Sequence, residues 1–398
     1  MRITKSPERS ATKQFYSFHT TTLSALLTSH DYHSIVDILY SESRNNPKTT
    51  IYKGYPAPAD TGHRFQVTDE WGFNIIELKK CQHHDRHTDK LYTRYQMKIK
   101  INPRAMFHRK VYPYLYIASL DDIKAAIKRL KEFLNVTHLT PFVTFERFKV
   151  TRLDLCVNID LGANSLSEEY MRILRKGNNL YHMIRMKEYN PSQKRWVPTK
   201  HSFTITSAPT AFIEFSCYNK YKQLKNEDKK YTPEEISAAK GIIRIELRMS
   251  HLKILQEKQK LNISTEEDIL LNANILSEDN IPRYIKSCFG AGYFTTAIKA
   301  KQKILDSSFH KKTKQSMIDM VERASSKGQT LEKIKCDIGK KKFSSLMKLF
   351  NQLGISPLTI RAKANIERME NPLYYIHYAR ACLKNKSCTK HIFPRPFS

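Results

Sequence analysis

The residues best suited to chemistry are a tyrosine, a lysine and a few carboxylates that alternate with apolar residues in three short runs. In Ile213 to Lys220, Ile213, Phe215 and Cys217 are apolar, while Glu214, Ser216, Tyr218 and Lys220 take the other parity. In Arg152 to Asp160, Leu153, Leu155, Val157 and Ile159 are apolar, which leaves Arg152, Asp154, Cys156, Asn158 and Asp160 opposite them. In Ile243 to Met249 the odd positions are again apolar, and Arg244, Glu246 and Arg248 share the remaining face. A strand sends alternate side chains to opposite faces, so each run reads as a strand with one apolar and one polar side. The ordinary reading of a strand tyrosine is a core or surface aromatic, and that of a charged strand face is a solvated surface. Parity sets Tyr218 among polar groups instead; Tyr221 has the wrong parity if the strand continues that far. If the three strands are neighbours with their polar faces together, Asp154 and Glu246 converge as hard oxygen ligands for Mg²⁺ or Mn²⁺, beside Tyr218 and Lys220. Such a set suits phosphodiester transfer. A phenol, with a pKa of about 10, needs help to become a nucleophile. A divalent cation polarises the phosphate and a lysine steadies the developing charge. Arg152, Arg244 and Glu214 would support that centre from the same faces.

The elements that must position these residues are strands with few helices between them. A helical stretch near His33 to Tyr40 precedes strand-like runs at Phe73 to Cys81 and Leu91 to Ile101, the second broken by Asn102-Pro103. A helix is expected at about Leu120 to Leu134, with Ile123, Ile127, Leu130 and Leu134 on one face. The strand from Val150 to Ile159 then leads to a helix near Leu166 to Arg175, strands near Phe203 to Ile205 and Ala211 to Tyr218, a polar stretch, and a strand at Gly241 to Met249. The expected class is α+β: two related halves, each an antiparallel sheet plus helix, followed by a mostly helical C-terminal domain. The expected bounds are 1–50 for an arm and first helix, 51–262 for the catalytic part (split near 140), 263–383 for the helical domain and 384–398 for a basic tail. From Asp268 onward the pattern is helical only. Leu331 to Pro357 reads as helix, basic break, helix, with Lys340, Lys341 and Lys342 ahead of Phe343, Leu346, Met347 and Phe350, and it is the outline of a DNA-binding hairpin or of a packed lobe with a solvated face.

Lys and Arg total 68 against 38 Asp and Glu, a formal net charge of +30 that is spread along the whole of the 398 residues. A polyanion offsets such an excess, and nucleic acid is the commonest one. No long uncharged apolar run and no secretory signal argues for a membrane. Seven cysteines without paired spacing read as reduced thiols, and His83, His84 and His87 fall in a polar stretch (Gln82 to Lys90) that reads as a solvated loop rather than a metal site.

The order and spacing of four stretches resembles the replication initiators of filamentous phages, the gene II type. They are Thr151-Arg152-Leu153-Asp154, Tyr218-Asn219-Lys220, Ile243-Arg244-Ile245-Glu246-Leu247-Arg248, and upstream Ile99-Lys100-Ile101-Asn102-Pro103, with Phe343 to Pro357 similar to the family's helical C-terminal part. The match covers roughly Tyr95 to Pro357, and the Arg-x-Asp, Tyr, Arg-x-Glu order is shared with trans-acting plasmid initiators. The resemblance implies a rolling-circle initiator that nicks one strand of an origin through Tyr218, leaving a 5′-phosphotyrosine and a free 3′-hydroxyl. It further implies single- and double-stranded phage or plasmid DNA, a host helicase and a polymerase as partners, in a bacterial cytoplasm. Lys98 stands where the phage pattern has glutamate, so a third metal ligand would come from Glu77, Asp160 or Glu214. His377-Tyr378-Ala379-Arg380 resembles a tyrosine-recombinase box, but no tyrosine follows Tyr378 to act as its nucleophile. A non-catalytic basic DNA-binding protein, of plasmid-maintenance or architectural type, would explain the charge equally well.

Overall fold

A computed structural model describes residues 16–57, 61–68, 71–73, 75–85, 88–107, 118–180, 182–190, 195–199, 201–207, 212–226 and 231–377. The expected arm at Met1 to Lys13, the tail from Lys384, His87, Tyr378 and Arg380 lie outside them. The described residues divide into two compact units: those through Leu155 with Arg248–Ser277, and Cys156–Leu247 with those from Glu278 on. The α+β class expected from the sequence is the one observed.

The first unit contains β1 (Tyr16–Leu27), α1 (Ser29–Asn45), β2 (Ile51–Pro56), β3 (Gly62–Val67), β4 (Ile75–Asp85), β5 (Lys90–Ile101), α2 (Pro103–Phe107), α3 (Leu120–Val136) and the start of β6 (Lys149–Asp160). Its strands order as β2-β3-β4-β5-β1-β6. Register is antiparallel throughout β2–β5 and between β5 and β1. One face is apolar: Leu23, Ala25, Phe65, Ile76, Leu78, Met97 and Ile99 are buried, with Tyr32, Ile35 and Leu39 of α1 and Ile127, Leu130 and Phe133 of α3. Capping boxes start both helices, Thr28 with Asp31 and Ser119 with Asp122, each satisfying backbone N–H groups that have no partner in the helix.

The second unit holds the rest of β6, α4 (Asn164–Leu174), β7 (Met183–Arg185), a hairpin of β8 (Lys187–Asn190) and β9 (Arg195–Pro198), then β10 (Ser202–Ser207), β11 (Ile213–Asn219), α5 (Lys220–Asn226), α6 (Pro233–Ala238) and most of β12 (Ile242–Ser250). Strand order there is β6-β12-β11-β10-β7. The first unit resumes with the end of β12, α7 (His251–Lys260) and α8 (Glu266–Leu271), and α9 (Ala273–Phe289) crosses the division. The C-terminal part is mostly helical, with α10 (Ala297–Leu305), α11 (Lys311–Ser325), α12 (Leu331–Ile338) and α13 (Lys340–Gln352).

Three local expectations need correcting. Residues from Asp268 on are not helical only: β13 (Tyr293–Thr296), β14 (Ile355–Ile360) and β15 (Arg368–Met369) form a small sheet in the order β14-β13-β15. Every residue of β14 is buried, so its apolar and polar positions alternate too little to be told from a helix end, and Pro357 is tolerated because β14 is an edge strand. Residues 82–85 are strand rather than loop, paired with 90–93. Tyr16–Leu27, for which no element is expected, is a twelve-residue strand whose threonines and serine hide its alternation.

The helix α4 ties the second unit together. Glu169 is buried, accepts from Arg172 at 2.7–2.9 Å and receives the Arg361 side chain at 2.7–2.8 Å and its backbone N–H at 3.0 Å. Arg172 also donates to the Thr359 carbonyl on β14, and Lys176 donates to the carbonyls of Ala324, Ser325 and Ser326 at the end of α11. Burial raises the pKa of Glu169, but the hydrogen bonds and charges of Arg172 and Arg361 outweigh it and leave the carboxyl below its ordinary value. A depressed carboxylate contributes stability that is complete above its unfolded pKa and lost as pH falls through the folded one. Glu169→Gln is therefore expected to cost on the order of 3 kcal/mol at neutral pH, seen as a lower thermal midpoint. The gap from wild type should close as acid protonates the carboxyl, and an equal midpoint at pH 7 would disprove the clamp.

Candidate active site

In the second unit, β11 runs apolar on one side and ends at Asn219, where the chain turns into α5. Asn219 fixes that turn: its Oδ1 accepts from the Lys222 N–H at 3.1 Å, and its Nδ2 donates to Ser167 Oγ on α4 at 2.9 Å. Tyr218, one residue earlier, is half-buried and lies opposite Ser202 of β10. Its hydroxyl donates to Glu246 Oε1 on β12 at 2.7 Å. Two residues before Glu246, Arg244 is fully buried, its Nη1 is 3.9 Å from Glu246 Oε1, and its Nε donates to Asn158 Oδ1 on β6 at 2.7 Å. Tyr218, Glu246, Arg244 and Asn158 thus form one connected polar group, all from the polar parity of their strands. Burial pushes the Tyr218 phenol well above its ordinary pKa, the Glu246 charge and hydrogen bond add to the rise, and Arg244 opposes it. The tyrosine therefore rests protonated, with its proton directed at a carboxylate.

Lys220, the first residue of α5, is buried, donates to Gln223 Oε1 at 2.8 Å and sits 5.9 Å from the centre of the Tyr218 ring. It is a cation beside the ring. Glu214 is half-buried, opposite Thr206 of β10. Tyr221 belongs to α5 and not to the strand.

In the first unit Asp154 has a different setting. Arg152 donates to it through Nε at 2.8 and 3.1 Å and Nη2 at 2.6 Å, Arg248 through Nε at 3.2 Å, and the Thr20 hydroxyl at 2.6 Å. Burial raises the Asp154 pKa, yet the Arg152 hydrogen bonds and charge, the Arg248 charge and Thr20 together hold it below the ordinary value. The role of Thr20 escaped sequence reading because β1 itself did. Both oxygens of Asp154 are engaged, two of their partners are cations, and Glu246 Oε1 accepts from Tyr218. Among the described residues no group of three or more His, Cys, Asp or Glu gathers as a metal site. Of the residues considered as third ligands, Glu77 is paired with Arg64 at 3.3 Å and Lys79 at 3.1 Å, and Asp160 Oδ1 accepts from the Gly162 N–H at 2.8 Å. As arranged, these residues do not fit a resident divalent cation. What such an ion would supply is polarisation of a phosphate, and no step below runs through it.

Lys340, Lys341 and Lys342 form the first turn of α13 after Gly339, which has a φ of 85° that favours glycine. All three are exposed. Lysines at a helix N-terminus meet the positive end of its dipole, an unfavourable placement that an external anion relieves.

No protein-family model matches the chain, and no curated protein matches its sequence. Among solved structures, the rolling circle replication initiator protein from Geobacillus stearothermophilus is similar at 11% identity and a TM-score of 0.25, over 67% of this chain and 79% of that one. The di-domain ARO/CYC StfQ from the steffimycin biosynthetic pathway is similar at 8% identity and a TM-score of 0.16, over 65% of this chain and 98% of that one. At these scores neither likeness bears on fold or chemistry.

The setting of Asp154 yields a direct test. Asp154→Asn is expected to cost on the order of 3 kcal/mol, because two guanidinium groups lose their counter-charge. Calorimetric titration of the DNA-free protein with Mn²⁺ should give the same trace for wild type and variant. A wild-type Mn²⁺ isotherm that vanishes in Asp154→Asn would show that the arginines yield to a cation.

Proposed function

We propose that the chain is a DNA-nicking enzyme of the rolling-circle initiation type, with Tyr218 as its nucleophile and Glu246 as the base. The observation that carries this reading is the 2.7 Å hydrogen bond from the Tyr218 hydroxyl to Glu246 Oε1. A nucleophile whose proton already points at a carboxylate is the arrangement that nucleophilic catalysis needs. As the phenol oxygen bonds to phosphorus, its proton passes to Glu246 and the bond from phosphorus to the 3′ oxygen breaks. The leaving oxygen takes up a proton from water and becomes a free 3′-hydroxyl, while the 5′ end stays on the tyrosine. Arg244 Nη1, 3.9 Å from Glu246 Oε1, sets a positive charge beside the base. Lys220 sets a positive charge 5.9 Å from the Tyr218 ring centre, where it would steady charge developing near the phenol. The net charge of +30 supports DNA as the substrate, and no helix among the described residues is long and apolar enough to cross a membrane.

With a single-stranded origin oligonucleotide, wild type should give a covalent protein–DNA band that survives denaturing electrophoresis. Tyr218→Phe should give none while binding DNA about as well, since one hydroxyl contributes little to a phosphate-dominated interface. Glu246→Gln should slow adduct formation by roughly 10²- to 10⁴-fold, the usual size of a general-base contribution. Adduct formation by Tyr218→Phe at the wild-type rate would overturn the assignment. Binding without adduct by wild type would favour the non-catalytic reading.

Duplex recognition we assign in part to α13. Replacing Lys340, Lys341 and Lys342 by alanine should reduce the slope of log affinity against log salt by up to about 2.7, at roughly 0.9 for each phosphate that a lysine no longer neutralises. Single-strand adduct formation should not change, and an unchanged slope would remove α13 from the interface.

A further inference from the structure

Beyond α13 and the Tyr218 group, the first unit carries a second surface with the chemistry to bind DNA. Along the inner part of β5 the residues alternate, whereas at the outer end Leu91 is exposed and Thr93 and Tyr95 are half-buried. Met97, Ile99 and Ile101 are buried, while Lys90, Tyr92, Arg94, Gln96, Lys98 and Lys100 have the opposite parity and are exposed or half-exposed. This row of basic, aromatic and amide side chains extends over eleven residues, roughly 34 Å at 3.3–3.4 Å per residue. That is about one turn of a DNA duplex.

The outer half of the row stands on a free-standing two-stranded ribbon. Strand β3 accompanies β4 only as far as Lys79, with one further backbone bond from the Lys80 N–H to the Thr61 carbonyl. Strand β1 accompanies β5 only from Tyr95 inward. Beyond those points, among the described residues, β4 and β5 pair with each other alone, to the register Asp85↔Lys90. A bare ribbon is marginal in water, and here it is fastened from one side: Tyr95 packs 4.9 Å from Tyr32 of α1, and Lys80 lies 6.0 Å from the Tyr32 ring centre. The other side is the one that presents Lys90, Tyr92 and Arg94. There His83 of β4 stacks on Tyr92, with ring centres 5.6 Å apart and 23° between planes. The stacking fixes the Tyr92 ring on the face that also carries Lys90 and Arg94. On the neighbouring strands the same face bears Lys79 and Arg64, which between them offset Glu77. At the turn, Asp89 is paired with His84 at 2.7 Å.

We infer that the outward face of β5, from Lys90 to Lys100, is a docking surface for duplex DNA, with Lys90 and Arg94 binding phosphates on the free ribbon. The charge of the row favours a polyanion. A two-stranded ribbon is one of the two elements that fit a major groove, and its free length suits a partner that lies along it. The proposal takes DNA as the polyanion from the function proposed above, but it does not need the tyrosine chemistry.

The experiment uses the full-length chain with a duplex and, separately, a single-stranded oligonucleotide of one sequence, across a series of salt concentrations. Lys90→Ala with Arg94→Ala should lower duplex affinity by tens of fold at about 0.1 M salt and reduce the salt slope by about 1.8, the value for two phosphates. The charge-keeping pair Lys90→Arg with Arg94→Lys should restore both. Single-strand binding and adduct formation should stay at the wild-type level. Unchanged duplex affinity and slope would overturn the inference, as would an equal loss on the single strand, which would make the ribbon a general basic surface. If wild type forms no adduct at all yet the alanine pair still lowers the duplex slope, the nicking proposal fails and the ribbon inference stands.

Discussion

The second unit depends on how the guanidinium of Arg244 is satisfied. A fully buried cation costs several kcal/mol unless hydrogen bonds and an opposite charge surround it. Asn158 on β6 accepts from its Nε, and Glu246 on the same strand as Arg244 stands 3.9 Å from its Nη1. Glu246 in turn accepts from Tyr218 on β11. Three strands are held in register by one chain of polar contacts, because a slip of one residue would turn every member of it to the apolar face. Asn219 and Ser167 then fix the turn after Tyr218 to α4, and Glu169 fixes α4 to Arg361. The tyrosine is positioned by the same interactions that stabilise the sheet.

Asp154 and Glu246 have equal parity on their strands and similar neighbours in sequence, yet they serve different ends. Asp154 is clasped by Arg152 and Arg248 and closed off by Thr20. Its charge is committed to those guanidinium groups, so it holds them in place. Glu246 accepts a proton-bearing phenol, with one arginine nearby rather than two upon it. A carboxylate that accepts from an ionisable donor can exchange a proton; one saturated by arginines cannot do so without breaking two ion pairs. Spacing alone does not distinguish the two, because an Arg-x-Asp and an Arg-x-Glu look alike until the cross-strand partner is known.

The alternation of β6, β11 and β12 was legible because each has three or four apolar residues on one side and almost none on the other. The same rule recovers α3 through Ile123, Ile127, Leu130 and Leu134, and the start of α13 at Lys340. It fails at β1, where Thr20, Thr21, Thr22 and Ser24 are all half-buried or buried and polarity no longer reports facing. It fails at β14 for the opposite reason, since burial on both faces removes the contrast that a pattern requires. It fails again at the tip of β4, where His83 and His84 look like a loop because no core lies beneath a free ribbon to demand apolar residues. The polar set around Tyr218 was legible in membership and not in pairing. Parity collects Asn158, Arg244, Glu246 and Tyr218 on polar faces, but which strand adjoins which is a matter of long-range topology.

The balance of charge explains why so few acids can matter so much. A chain with 68 basic and 38 acidic residues cannot neutralise its cations internally, so a carboxylate set beside an arginine inside the fold marks a cation held rigid without help from a ligand. Buried Glu169 and Asp154 and half-buried Glu246 are such places, each beside at least one arginine, while buried Glu257 and Glu266 pair with lysines. The exposed rows on β5 and at the start of α13 have the opposite character. Their lysines lie at the surface, where a polyanion can reach them, and counterion release from the polyanion then supplies the free energy of binding. Buried, rigid cations near Tyr218 serve geometry, and exposed ones elsewhere in the sequence serve affinity. A surface lysine exchanged for arginine should accordingly matter little on β5 or α13. The same exchange in reverse at Arg244 would remove the Nε donor that Asn158 requires and shift the charge beside Glu246, and with them the register that brings Tyr218 to its base.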